Sequence, residues 1–143
     1  MPRNSAKQLN PYRGIPPRAW LRLGLGNDAA QELLVIADTG NPCALIVGLD
    51  VLNAFRLEEA GDVESNFGLL QGGWLDVAVP DLGFRVHVLA YESEQVAAAA
   101  RHSDSRFAGL AGLPLLRKLE YGGDAEGFWV KRPRRSRPAG KER

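Results

Sequence analysis

Cysteine and histidine are scarce in this chain of 143 residues. The single cysteine, Cys43, excludes an intramolecular disulfide framework and any cysteine-based zinc site. Two histidines, His87 and His102, are too few for a histidine-rich metal centre. The composition therefore favours chemistry that depends on neither thiolate ligands nor a cluster of imidazoles.

Long apolar runs are also lacking. Without an uninterrupted run of about 18 apolar residues, we expect no membrane span and no membrane partner. The first residues, MPRNSAKQLNPYRGIPPR, contain no apolar stretch typical of a secretory signal, so the expected location is the reducing cytoplasm. The length and a hydrophobic fraction of 45% predict one soluble, folded domain.

The net charge of +1 conceals an uneven distribution of charge. Residues 1–18 carry +4 and four prolines, residues 131–143 carry +6, and residues 19–130 carry −9. This pattern predicts a basic, Pro-rich arm over 1–18, a folded domain over 19–130 and a disordered basic tail over 131–143. The tail lacks aromatic residues that could stack on bases, so we expect it to make only weak, nonspecific contacts with nucleic acid.

Alternation of apolar and polar residues predicts a mostly β domain. Two pairs of runs, each joined by turn residues, predict two hairpins, and two shorter runs predict further strands. The predicted hairpin strands are Ala19–Leu25 with Gln31–Ala37, and Leu69–Val79 with Phe84–Ala90, and the shorter strands are Ala44–Val47 and Gly127–Val130.

Helical signals are few. Glu92–His102 has an acidic start and four consecutive alanines, which favours a helix, although its thin apolar face leaves a mobile excursion as the alternative. Pro114 predicts the start of a short helix over Leu115–Leu119. Leu49–Phe55 suggests a turn or two of helix, and the polar stretch Glu58–Gly68 suggests a loop. We therefore expect a mostly β fold with one or two short helices.

The buried strand that ends at Ala37 runs directly into Asp38-Thr39-Gly40, residues that are poor material for continuing a strand. Together with the later apolar, glycine-rich segment Gly109–Tyr121 (GLAGLPLLRKLEY), the stretch LLVIADTG resembles the retropepsin-like aspartic protease family. The resemblance covers Trp20 to Val130. It implies a closed β-barrel or sandwich subunit, with the late segment packed next to the active-site loop.

Peptide hydrolysis by acids alone needs one group to take a proton from water and another to give one to the substrate. Two neighbouring carboxyl groups that share one proton can do both. The chain contains only one Asp-Thr-Gly, so the pair requires Asp38 from each of two copies across a two-fold axis. We therefore predict an aspartic endopeptidase that acts on polypeptides as a homodimer, without a metal or an organic cofactor.

The resemblance also implies roles for the loop residues. Asp38 is the predicted catalytic acid, Thr39 holds the two loops in register across the dimer axis, and Gly40 lets the backbone approach the carboxylate. Asn41 departs from the family pattern, in which Ser, Thr or Ala is usual. We expect its amide to donate to the outer carboxylate oxygen. Cys43 is expected to be a small core residue and not a nucleophile.

A flap that closes over the peptide is the remaining expectation from the family. Its predicted substrate-binding tip is Asn66, Phe67 and Gly68, and Gly72-Gly73-Trp74 is the alternative. The alternative function is that of a catalytically inactive, dimeric module with the same retropepsin-like fold, which binds peptides or acts as a scaffold.

Overall fold

Strands dominate the computed structural model, which describes residues 6–27, 29–65 and 68–133. The described residues are 54% strand and 19% helix, which confirms the mostly β prediction. The described residues form three helices, however, and not one or two. The strands are arranged in a small sheet of three strands and a larger sheet of seven.

The small sheet joins the two ends of the described chain. Its strands are β1 (Lys7–Pro11), β10 (Gly127–Lys131) and β9 (Glu120–Gly123), in the spatial order β1-β10-β9. The predicted arm is therefore wrong for residues 7–11. On β1 the inward side chains are Gln8 and Asn10, and Asn10 Nδ2 donates to Gln8 Oε1 at 2.8 Å. Because the side chains that β1 buries are polar, its sequence shows no alternation of apolar and polar residues that would predict a strand.

The larger sheet begins with an antiparallel hairpin of β2 (Trp20–Leu25) and β3 (Gln31–Asp38), as predicted. Strand β3 then runs parallel to β8 (Phe107–Gly112), and β8 runs antiparallel to β4 (Leu45–Val47).

The second predicted hairpin is also confirmed. It consists of β6 (Gly68–Val79) and β7 (Phe84–Glu92), joined by a 3-10 turn over Pro80–Leu82. Strand β7 runs parallel to β4, and β6 pairs with β2 through Gly24↔Ala78 and Leu25↔Val77. These last two pairings close six strands into a barrel in the order β2-β3-β8-β4-β7-β6.

The barrel interior forms the main hydrophobic core. Each buried Leu or Val contributes roughly 1.5–3 kcal/mol relative to an exposed one, so the closed strands account for much of the stability. The fully buried side chains of this core include Leu21, Leu23, Val35, Leu45, Val47, Leu52, Leu75 and Val77.

Strand β5 (Glu58–Ser65) pairs with β6 at the edge of the larger sheet. The predicted loop is therefore wrong over 58–65. An edge strand needs no buried apolar face, and charged side chains protect an edge from unwanted pairing. The exposed acids of β5 that hide its strand character in the sequence are Glu58, Glu59, Asp62 and Glu64.

The three helices are α1 (Leu49–Phe55), α2 (Glu94–Ser103) and α3 (Leu113–Leu116). Helix α2 confirms the predicted helix, because Ser93 Oγ caps it by accepting from Val96 N–H at 3.1 Å and its buried face packs on β8 and β4. Helix α3 begins earlier than predicted, with Pro114 in its first turn. None of these helices combines the length and apolar character that a bilayer crossing requires.

The predicted boundary at residue 131 is wrong by a few residues. Lys131 still belongs to β10, and Arg132 Nη1 donates to Leu82 O at 3.1 Å and to Gly83 O at 3.0 Å. The rest of the predicted tail, residues 134–143, lies outside the described residues, as do residues 1–5.

Candidate active site

The Asp38-Thr39-Gly40 turn lies where β3 leaves the barrel. Strand β3 is held on one side by β2 and on the other by β8, and Asp38 and Gly112 form the last register pair of β3 and β8. Strand β3 is paired with β2 as far as Ile36 and with β8 as far as Asp38, so a rigid sheet, and not a free loop, positions the Asp38 carboxyl.

The turn presents its polar groups toward solvent. Asp38 is half-buried, whereas Thr39 and Gly40 are exposed. Gly40 N–H donates to Asp38 Oδ1 at 3.0 Å, and Asn41 N–H donates to Asp38 O at 3.0 Å. The first bond holds one carboxylate oxygen, and the second closes the turn at the backbone carbonyl of Asp38. The three predicted catalytic residues thus form one exposed turn.

Gly112 and Leu113, at the start of α3, hold the residues that follow this turn through backbone hydrogen bonds. Gly112 N–H donates to Ala44 O, and Leu113 N–H donates to Asn41 O, both at 3.0 Å. A Cβ added at Gly112 would lie 2.5 Å from Asn41 O and closer still to Cys43 O, so only glycine fits here. The late apolar, glycine-rich segment and the Asp38 loop are therefore in direct contact.

A groove of about 270 Å³ runs beside the exposed turn. Arg117 contributes a positive charge to its lining, and most of the remaining surface is backbone and apolar side chain. The lining residues are Thr39, Gly40, Asn41, Pro42, Leu113, Pro114 and Arg117. Sequence reasoning missed Arg117, whose only signal was its position just after the short helix.

Asn41 does not play the role expected from the sequence. Its Oδ1 accepts from Cys43 N–H at 3.0 Å, and its buried Nδ2 has no hydrogen-bond partner among the described residues. The amide therefore shapes the following turn and does not donate to the Asp38 carboxylate. A buried donor without a partner is costly, by about 1–3 kcal/mol, which makes the loop less stable than a fully bonded one.

Cys43 lies just behind the site and is half-buried against an apolar cluster. Burial raises the pKa of its thiol, and burial followed by the neighbouring Cys43 raises the pKa of the Tyr91 hydroxyl. A raised pKa lowers the thiolate fraction, so Cys43 has the properties of a packing residue and not of a nucleophile. Within residues 6–27, 29–65 and 68–133, no three His, Cys, Asp or Glu side chains gather in a way that could hold a metal ion.

The predicted flap falls on the hairpin of β5 and β6. Asn66 and Phe67 lie outside the described residues, and Gly68, with a φ of 94°, begins β6 opposite Ser65. The alternative flap tip is wrong, because Gly72-Gly73-Trp74 lies within β6 and is paired with both β5 and β7.

The part of this hairpin next to its tip packs in the same cluster as Cys43, which follows the Asp38 turn in the chain. Val63 of β5 and Leu70 of β6 belong to the same hydrophobic cluster as Cys43. The hairpin is therefore anchored next to the candidate site.

Comparisons of the chain with protein-family models, with curated proteins and with solved structures found no match.

Proposed function

We propose that this chain is one subunit of a homodimeric aspartic endopeptidase, in which Asp38 of each subunit contributes to activating one water molecule. The observation that carries the proposal is the Asp38-Thr39-Gly40 turn at the end of a strand paired on both sides, with its carboxylate held by Gly40 N–H and its backbone exposed. The retropepsin-like resemblance of the two segments that meet there supports the same chemistry.

The exposure of the turn supports an active site shared by two copies. One carboxyl group cannot serve as acid and base at the same moment, and the chain has a single Asp-Thr-Gly. Because Thr39 and Gly40 are exposed, a second copy can approach along a two-fold axis and bring the partner's Asp38 alongside. Two carboxyl groups at such close range share one proton, since both cannot be ionised together.

The proposed reaction balances its protons within that pair. The ionised Asp38 takes a proton from water as the water oxygen bonds to the peptide carbonyl carbon. The partner's Asp38, which carries the shared proton, gives it to the carbonyl oxygen. Cleavage of the C–N bond then requires the first Asp38 to pass its proton to the leaving nitrogen. One hydroxyl of the tetrahedral intermediate meanwhile returns its proton to the partner's Asp38 as the carbonyl re-forms, which restores the shared proton. The groove beside the turn provides room for the peptide.

The test is the substitution Asp38→Asn, which removes the acid while preserving size. We expect the variant to lose cleavage of a peptide library and to retain the dimer that the wild type forms in analytical ultracentrifugation. Asp50→Asn is the matched control, because Asp50 is exposed at the start of α1. The control is expected to cleave like the wild type. Undiminished cleavage by Asp38→Asn, or a wild-type protein that is monomeric and fully active, would refute the proposal.

A second candidate function is a dimeric module that binds peptides without cleaving them. The observation that favours it is Asn41, which leaves the outer oxygen of Asp38 without the expected donor. In that case the wild type would bind peptides from the library without hydrolysing them. Asp38→Asn would bind the same peptides with unchanged affinity, as measured by calorimetry.

A further inference from the structure

The outward face of the small sheet carries an unusual set of side chains. Residues of β1 alternate between exposed and buried, so that Lys7 and Leu9 point away from the barrel, and Leu9 is 47% exposed. Opposite them on β10 lie Lys131 and Trp129, in the pairs Lys7↔Lys131 and Leu9↔Trp129. We call these four residues the Trp129 face.

The indole ring of Trp129 packs against Gly122 of the neighbouring strand β9. A Cβ added at Gly122, its register partner there, would lie 2.6 Å from the ring, so the absence of a side chain makes room for it. The ammonium groups of Lys7 and Lys131 lie 5.9 Å and 5.2 Å from the ring centroid. The aromatic ring is thus bordered by two positive charges.

The two lysines are cross-strand partners, and like charges placed directly opposite each other destabilise a sheet. Glu120 of β9 is the register partner of Lys131 on its other side, so the immediate surroundings hold two positive charges and one negative charge. An anion bound between the lysines would relieve their repulsion. Residues 19–130 carry a net charge of −9, so the excess positive charge of the chain is concentrated in its two terminal segments.

We infer that the Trp129 face binds single-stranded nucleic acid, with one base stacked on the Trp129 ring and the flanking phosphates on Lys7 and Lys131. A flat ring beside positive charges is the combination that single-strand binding surfaces use. The face continues in sequence into Arg132 and five further basic residues among 134–143. Leu9 and one half-buried indole give too little apolar surface to favour a lipid bilayer as the partner.

The exchange of contacts on binding favours the complex. The lysines leave the ring, whose exposed cation–π contacts are weak, and a base takes their place by stacking, which is the stronger interaction. The lysines meanwhile gain phosphate contacts and release counterions, so the affinity must fall as salt rises. This inference is independent of the protease proposal, because it uses no residue of the Asp38 loop.

The experiment measures fluorescence anisotropy of a labelled, mixed-sequence, single-stranded oligonucleotide of about 15 nucleotides at about 50 mM salt, with the full-length protein. We expect Trp129→Leu to weaken binding about tenfold and Trp129→Phe to restore most of it, since phenylalanine keeps a ring. The double variant Lys7→Gln/Lys131→Gln is expected to bind more weakly and to lower the salt slope by about 2. The two lysine substitutions are at the surface, so the double variant still tests the inference if Trp129→Leu fails to fold.

Trp74→Leu and Arg101→Gln are the controls, because both residues are exposed and lie on elements outside the small sheet, β6 and α2, and they are expected to bind like the wild type. Deletion of residues 134–143 is expected to leave residual binding that still depends on Trp129. Three results would overturn the inference: no binding at low salt, wild-type affinity in both Trp129→Leu and the lysine double variant, or binding to phosphatidylserine vesicles in place of the oligonucleotide.

Discussion

Replacing Gly112 by alanine tests how tightly the Asp38 loop is built. A methyl group at this position would lie 2.5 Å from Asn41 O and closer to Cys43 O, and both obstacles are backbone atoms of the loop that follows Asp38. Backbone cannot swing aside as the end of a flexible side chain can. The alanine must therefore push the loop away from β8 and weaken the bonds from Gly112 N–H to Ala44 O and from Leu113 N–H to Asn41 O.

The expected cost lies at the upper end of the range for overpacking, about 3 kcal/mol. For a domain of this size, that loss corresponds to a decrease in Tm of roughly 10 °C. Circular dichroism at increasing temperature measures the Tm, and urea titration gives the free energy of unfolding. At temperatures where Gly112→Ala is still folded, we expect peptide cleavage to be lost, because Gly40, whose N–H holds the Asp38 carboxylate, moves with the loop.

Gly61→Ala is the matched control. Gly61 lies on edge strand β5, and a Cβ added there would have nothing within 4 Å. Its Tm and its cleavage rate should equal those of the wild type. If Gly112→Ala unfolds at the wild-type temperature, the described contact between the loop and β8 is wrong. If both variants lose the same stability, the loss comes from general strand effects and not from the crowded site.

Two further predictions concern α2 and its C-terminal end. Ser93→Ala removes the N-cap of α2 and is expected to lower the free energy of unfolding by about 0.5–2 kcal/mol in urea titration, whereas Ser105→Ala, at an exposed position, should change it little. The backbone N–H of Arg106, and then the Arg13 guanidinium, lower the pKa of Asp104. The ionised form of Asp104 therefore stabilises the fold above about pH 4. This stabilisation is lost as the pH falls through the pKa of Asp104 in the folded state. The Tm of the wild type should therefore fall further between about pH 5 and about pH 2 than the Tm of Asp104→Asn, and parallel curves would contradict this assignment.

The hairpins of the barrel could be predicted because each has an apolar face and a turn of distinctive composition. The run Trp20–Leu25 alternates in the way that a strand against a core requires. Strand β1 could not be predicted in the same way, since its inward residues Gln8 and Asn10 are polar. Their amides find acceptors on Trp20 O and Arg22 O, which lie far along the chain. Only the assembled fold shows that this polar strand is buried.

At the candidate site, the turn after Asp38 could be predicted, because Asp38, Thr39 and Gly40 are poor material for extending a buried strand, and β3 ends at Asp38. The surroundings of Asn41 were not predictable, since the choice between donating to Asp38 and accepting from Cys43 depends on the conformation of a short turn. The close contact of Gly112 with the loop was likewise hidden. A glycine in the sequence does not tell which backbone approaches it.

The pairing of β1 with β10 also has a consequence for the order in which the two sheets fold during synthesis. Lys7 emerges early from the ribosome, but its register partner Lys131 is synthesised more than a hundred residues later. The barrel strands can pair before then, whereas β1 must wait for the C-terminal strand. The small sheet, and with it the Trp129 face, should therefore form last and only after translation has passed Lys131.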